Sequence, residues 1–257
     1  MRLPAALTLA ALLSACAGLR PASTPVGGYL DGEAVAALAA PVSPPPVDIG
    51  QADQTASDSL RMLEDADRWW LATAQSELRP PEAGQHFDCA LGVRFAERPR
   101  PALTRLMKRL LADSLALTGR LAQDPPRPRP VALDAARRPC QRLTTAMRAS
   151  SAWPVGPAVA GAAYAEMFAA LAPDRAIAAR RIGHEIGVSR AVCGMAWPSD
   201  IPPAEALGRE VYAAASTTPG FAADLEAART ELEAARAEQL TSPACAAERL
   251  ALSQSPF

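Results

Sequence analysis

Gly187-Val-Ser-Arg-Ala-Val-Cys-Gly-Met-Ala-Trp-Pro-Ser-Asp200 holds two charged residues, Arg190 and Asp200, in a run that is otherwise apolar or small. Taking a charge out of water is costly unless a partner compensates it, so an arginine and an aspartate kept together in such a run need a reason. Upstream, Pro173 and Gly187 bracket a predicted helix, since proline opens helices and glycine ends them. The small-residue stretch 158–171 predicts another that packs closely against its neighbours. Downstream, Pro202-Pro203 opens a further helix. Residues 221–240 read as a long C-terminal one, with Asp224, Glu226, Arg229, Glu231, Glu233, Arg236 and Glu238 on a solvated face.

Further from this centre the helical period persists. Leu103, Leu106, Met107, Leu110, Leu111, Leu115 and Leu117 make an i, i+3, i+4 stripe, with Lys108, Arg109 and Asp113 outside it. From Ser57, the spacing of Leu60, Leu63, Trp70 and Leu71 predicts one helix to about Leu78, anchored by Trp69 and Trp70. Alanine leads the apolar residues, and alanine gives up no side-chain entropy in a helix. The expectation is an all-α, single-domain bundle of seven or more helices over 51–257. Proline-rich connections separate them, the sharpest being Gln123-Asp-Pro-Pro-Arg-Pro-Arg-Pro130.

The chain has 257 residues, 49% of them hydrophobic, and a net charge of −1. That is enough for one large core, and it gives no bulk attraction to nucleic acid. At the start, Arg2, the apolar run Ala5 to Leu13 and Leu13-Ser-Ala-Cys16 read as a lipoprotein signal peptide over 1–15 with lipidation at Cys16. A plain secretory signal cleaved nearby is the rival reading. Either one places the protein outside the cytoplasm, and the lipid reading makes it a periplasm-facing envelope protein, with the outer membrane as partner of the anchor. Residues 16–50, rich in Pro and Ala and broken by Pro44-Pro45-Pro46, read as a tether in which only Tyr29 to Leu38 shows local order. Cys89, Cys140, Cys193 and Cys245 then form an even set in an oxidising compartment. Of three possible pairings, Cys89–Cys140 and Cys193–Cys245 are favoured because each ties neighbouring parts of the chain. No C-x2-C pair or nearby histidine supports a metal site, and no cofactor motif is present.

Ser189, Arg190 and Asp200 fit the S-R-x5-H-x3-D block of the bacterial class A non-specific acid phosphatases. These belong to the type 2 phosphatidic acid phosphatase and vanadium haloperoxidase superfamily, and the chain resembles them over roughly residues 25 to 240. Phe87-Asp-Cys-Ala-Leu91 resembles a helix opening in the same family. The resemblance implies an all-α fold and phosphoryl transfer through a phosphohistidine. A lysine and two arginines hold the phosphoryl oxygens, an aspartate orients the nucleophile, and a second histidine protonates the leaving group. It also implies that the N-terminal stretch with its proline cluster packs onto the domain.

Measured against that pattern, reactive groups are missing. The K-x6-R-P block ends at Arg129-Pro130 and has Ala122 in the lysine's place, with Arg120 two residues away. The P-S-G-H block reads Pro154-Val155-Gly156-Pro157, so Val155 replaces the serine and Pro157 the general acid. Ala196 stands where the nucleophile should be. Loss of a general acid alone costs ~10² to 10⁴ in rate. The carry-over leaves Arg129, Arg190, Gly156 and Ser189 as a residual anion-binding set for phosphate, sulfate or an anionic headgroup, and Asp200 as the remnant of the orienting carboxylate.

His86 and His184, the two histidines of the chain, lie outside the blocks and read as structural; His184-Glu185 lacks the second histidine of a metalloprotease helix. Asp200 is equally readable as a partner for Arg190 or as a cap for the helix at Pro202. Three roles stay open on the sequence: an inactive relative that binds an anion, a phosphomonoester hydrolase with a rearranged site, and a structural envelope protein without ligand.

Overall fold

The computed structural model describes residues 27–257, and every regular element among them is helical. The signal peptide and Cys16 lie outside the described residues. In chain order the α-helices are α1 Gly32–Ala39, α2 Gln51–Ser59, α3 Asp67–Ala74, α4 Asp88–Leu91, α5 Pro101–Arg120 and α6 Pro130–Leu133. They continue with α7 Thr145–Ala149, α8 Gly156–Leu171, α9 Ala176–Val192, α10 Ile201–Ser216, α11 Pro219–Ala237 and α12 Cys245–Leu252.

Helix α8 is apolar around nearly its whole circumference, with Glu166 as its single charged residue, which is the pattern of a helix with little solvent face. It forms the axis of the bundle, packed by α9, α10 and α5. Its alanines and glycines let neighbouring backbones approach closely. A Cβ on Gly208 of α10 would lie 2.2 Å from the carbonyl oxygen of Val159, so no larger residue fits there without separating α8 from α10. The largest core layer joins Leu106, Leu110, Tyr164, Phe168, Ile186 and Phe221 from four helices.

The α5 stripe is buried at Leu103, Leu106, Met107, Leu110 and Leu117, whereas Leu115 is exposed. Asp113, outside the stripe, is nevertheless buried, because the N-terminal segment covers it. Its two carboxylate oxygens accept the backbone N–H groups of Leu30 (3.0 Å) and Tyr29 (2.9 Å). The Tyr29 hydroxyl donates to Asp224 at 2.8 Å, and the Arg109 guanidinium lies 3.8 Å from the Tyr29 ring centroid. Residues 27–40 thus pack onto the domain through α5 and α11, with α1 also against α10.

Several expectations need correction. The single helix over 57–78 is three pieces: α2, a 3₁₀ turn at Leu60–Leu63, and α3 after Asp65 adopts φ 65°. The apolar spacing survives the break, so periodicity alone does not reveal it. Trp69 is buried, but Trp70 is 55% exposed and anchors nothing in the core. Gly187 does not end α9, which runs on to Val192; the left-handed residue beyond that end is Gly194, φ 68°. The C-terminal helix stops at Ala237, and the short α12 follows it.

The disulfides also differ from the expected pairing. They are Cys89–Cys245 and Cys140–Cys193. Closeness in sequence is a weak guide because loop-closure cost grows only with the logarithm of length. Here the fold lays α12 against α3 and carries Cys245 to α4, while Cys140 is brought to the C-terminal end of α9.

Candidate functional site

The three sequence blocks meet at the C-terminal end of α9. Pro128, Pro130 and Val131 run beside the turn after α9: Val131 N–H donates to Gly194 O at 3.0 Å, and Trp197 Nε1 donates to Pro128 O at 2.8 Å. The middle block joins the same region, with Ala152 N–H donating to Arg127 O at 2.8 Å. The turn itself folds back on α9, because the N–H groups of Met195 (2.8 Å) and Ala196 (3.2 Å) both donate to Arg190 O.

Arg190 is 6% exposed. Its guanidinium has no hydrogen-bond or carboxylate partner among the described residues. Arg129 lies near enough to act on it electrostatically, and the partners of Arg129 are neutral oxygens: Met195 O and Ser150 Oγ, the latter at 3.0 Å from Nη2. Burial pushes Arg190 down to about 10, and the neighbouring Arg129 charge adds to this; burial alone brings Arg129 to about 10. Both remain cationic at neutral pH. The buried Arg190 and the half-buried Arg129 near it, neither paired with a carboxylate among the described residues, form an electropositive spot suited to an oxyanion.

Asp200 is not part of that spot. It is buried, and its Oδ2 accepts from Arg127 Nε at 3.1 Å. Arg127 also donates to Asp53 Oδ2 at 3.0 Å and to the carbonyl of Pro46, fastening the N-terminal segment and α2 onto the turn that carries Asp200. Burial raises the Asp200 carboxyl and Arg127 opposes the rise. Arg127, the other arginine of the Pro-Arg-Pro-Arg-Pro connector, was legible only as part of that repeat.

Ser189 faces away from the arginine pair. It is fully buried, accepts from Arg68 Nη1 at 2.9 Å and donates to Gln75 Oε1 at 2.6 Å. Arg68 in turn pairs with Glu185 at 3.0 Å. Nothing in the sequence around Arg68, inside an apolar helix, marked it as the centre of a buried polar network.

Gly156 opens α8 and Pro157 occupies its first turn, where a missing N–H is harmless. Val155 and Ala196 lie together in an apolar cluster with Trp153, Ala158 and Val159. Ala122 is exposed just beyond the end of α5. Neither histidine joins the site. His184 Nδ1 donates to Glu205 at 2.8 Å, and His86 Nε2 donates to Glu77 O at 2.7 Å.

No protein-family model matches the chain. Curated relatives do. The chain is 30% identical over 199 residues to an acid phosphatase of Zymomonas mobilis, covering 76% of this chain and 75% of that one. The chain belongs to the bacterial acid phosphatase family. It is also 25% identical over 193 residues to a non-specific acid phosphatase of Providencia stuartii, covering 73% and 78% of the two chains. For a non-specific acid phosphatase of Salmonella typhimurium the identity is 26% over 173 residues, covering 66% and 68%.

Proposed function

We propose that the protein is a non-catalytic member of the acid phosphatase family that binds an oxyanion between Arg129 and Arg190, anchored by lipid on Cys16 and facing the periplasm. The observation that carries this reading is the unneutralised arginine pair. A buried guanidinium without a carboxylate is costly, and a phosphate, sulfate or anionic headgroup compensates it with bidentate hydrogen bonds. Against turnover stand Ala196 and Val155 in the apolar cluster, Pro157 without a titratable proton, and Asp200 engaged by Arg127. No base accompanies Ser189, whose hydroxyl already serves Arg68 and Gln75.

The envelope address rests on Leu13-Ser-Ala-Cys16 and agrees with two disulfides, which persist outside a reducing cytosol. Among the described residues, no helix is long and apolar enough to cross a membrane.

Calorimetric titration with inorganic phosphate and sulfate tests the binding: heat of binding in the wild type and none in Arg190→Met is expected. Absence of binding in the wild type removes the reading. Steady release of phosphate from p-nitrophenyl phosphate, lost on Arg190→Ala, replaces it with a hydrolase using a rearranged site.

A further inference from the structure

A concavity lies away from the arginine pair, between α3, the 3₁₀ turn Glu82–Phe87, α4 and α12. It has a volume of about 630 Å³ and is lined by Asp67, Glu82, Asp88 and Glu248, with no lysine or arginine in its wall. That size is in the range of small-molecule sites, ~300–1,000 Å³. Glu77 also reaches the wall, but its carboxylate is held by Arg79.

Two of the lining side chains are almost completely buried and only half satisfied by the protein. Asp88 is 3% exposed; its Oδ1 accepts the Phe95 N–H at 3.0 Å, and its Oδ2 has no donor among the described residues. Gln75 is 1% exposed; its Oε1 accepts from Ser189, and its amide nitrogen has no acceptor among the described residues. Buried polar atoms are normally paired, and each exception asks for a partner. The rim adds the exposed indole of Trp70, a surface that attracts cations through its π face. The Cys89–Cys245 disulfide ties the two walls, since Asp88 precedes one cysteine and Glu248 lies on the helix begun by the other.

We propose that this cavity binds a small organic cation, an ammonium or guanidinium group, with Asp88 and Glu248 as its charge partners, Gln75 donating to an acceptor on the ligand, and Trp70 flanking it.

The titration of the site follows from its surroundings. Burial raises Asp88 to about 6, against the Phe95 N–H and Arg94. Glu248 is raised to about 7 by burial and by Asp88, with Arg249 opposing. Burial lowers His86, against its hydrogen bond to the Glu77 carbonyl. Asp67, Glu82 and the Arg79-paired Glu77 are the remaining charged groups facing the cavity. The negative charge of the site therefore grows between about pH 5 and pH 8.

The test is calorimetric titration of the purified protein with agmatine, beside N-butylurea as a neutral analogue. Binding of agmatine at pH 8 is expected. It should weaken roughly tenfold or more at pH 5, and by a similar factor at pH 8 in Asp88→Asn and in Glu248→Gln. N-butylurea should not bind. Asparagine keeps the acceptor for Phe95. Should Asp88→Asn nonetheless fail to fold, Glu248, half-buried and with no hydrogen bond to its carboxylate among the described residues, supplies the variant that decides. Absence of agmatine binding at pH 8, unchanged affinity in Glu248→Gln, or equal affinity for N-butylurea each overturns the proposal.

Discussion

Ser189 and Arg190 are adjacent on α9, yet they face different surroundings and fail differently when changed. The Ser189 hydroxyl is the joint between Arg68 and Gln75, so Ser189→Ala leaves a buried guanidinium nitrogen and a buried amide oxygen each short of a partner. A loss of about 1–3 kcal/mol is expected, measured as a lower midpoint in urea with unchanged slope. Arg190→Met should leave stability equal or higher in anion-free buffer, because it removes a buried charge that no carboxylate neutralises. The spacing of Ser189, Arg190 and Asp200 was legible in the sequence. The direction each side chain faces was not, because that depends on Arg68 and Arg127 arriving from distant parts of the chain.

At the level of elements, the N-terminal segment is held by charge. Burial acts to raise Asp224, but hydrogen bonds from Tyr29, Arg105 and Arg109 outweigh it and hold the carboxyl below its ordinary value. A carboxyl lowered on folding contributes stability above its unfolded value of ~3.9, lost as pH falls through the folded value. Protection of the Tyr29 and Leu30 amides, relative to an unstructured peptide at the same pH, should therefore fall below about pH 4, and Asp224→Asn should reduce that dependence to the share set by Asp113, which accepts both N–H groups.

His184 works in the opposite sense. Its hydrogen bond to Glu205 raises it against the opposing effect of burial. Its contribution is full below ~6.5 and is lost as pH rises through the folded value, so His184→Gln should flatten the change in thermal midpoint above neutrality. Removing the Cys140–Cys193 bridge, whose cysteines are 53 residues apart, should cost on the order of 4 kcal/mol in the chain-entropy model. The stripe of α5 was readable because it faces one core, whereas Asp224, expected on the solvated face of α11, is buried, because Tyr29, Arg105 and Arg109 cover it. The break at Asp65 and the cysteine pairing were not readable, since both are decided by contacts between segments far apart in sequence.

For the molecule as a whole, the fold and the reactive groups separate cleanly. Close small-residue packing of α8 with α9 and α10 positions the blocks irrespective of which side chains they carry, so Ala196, Val155 and Pro157 sit in the structure without disturbing it. The turn after α9 folds back on Arg190, with Arg129 near enough to act on that arginine, and Ala196 is enclosed by apolar side chains. The most direct measurement is phosphorus NMR of p-nitrophenyl phosphate with stoichiometric protein. The ester resonance should broaden with wild-type protein, stay sharp with Arg190→Met, and show no growing signal from inorganic phosphate. A growing inorganic phosphate signal that depends on Arg190, or an ester resonance unaffected by the wild type, would contradict the account.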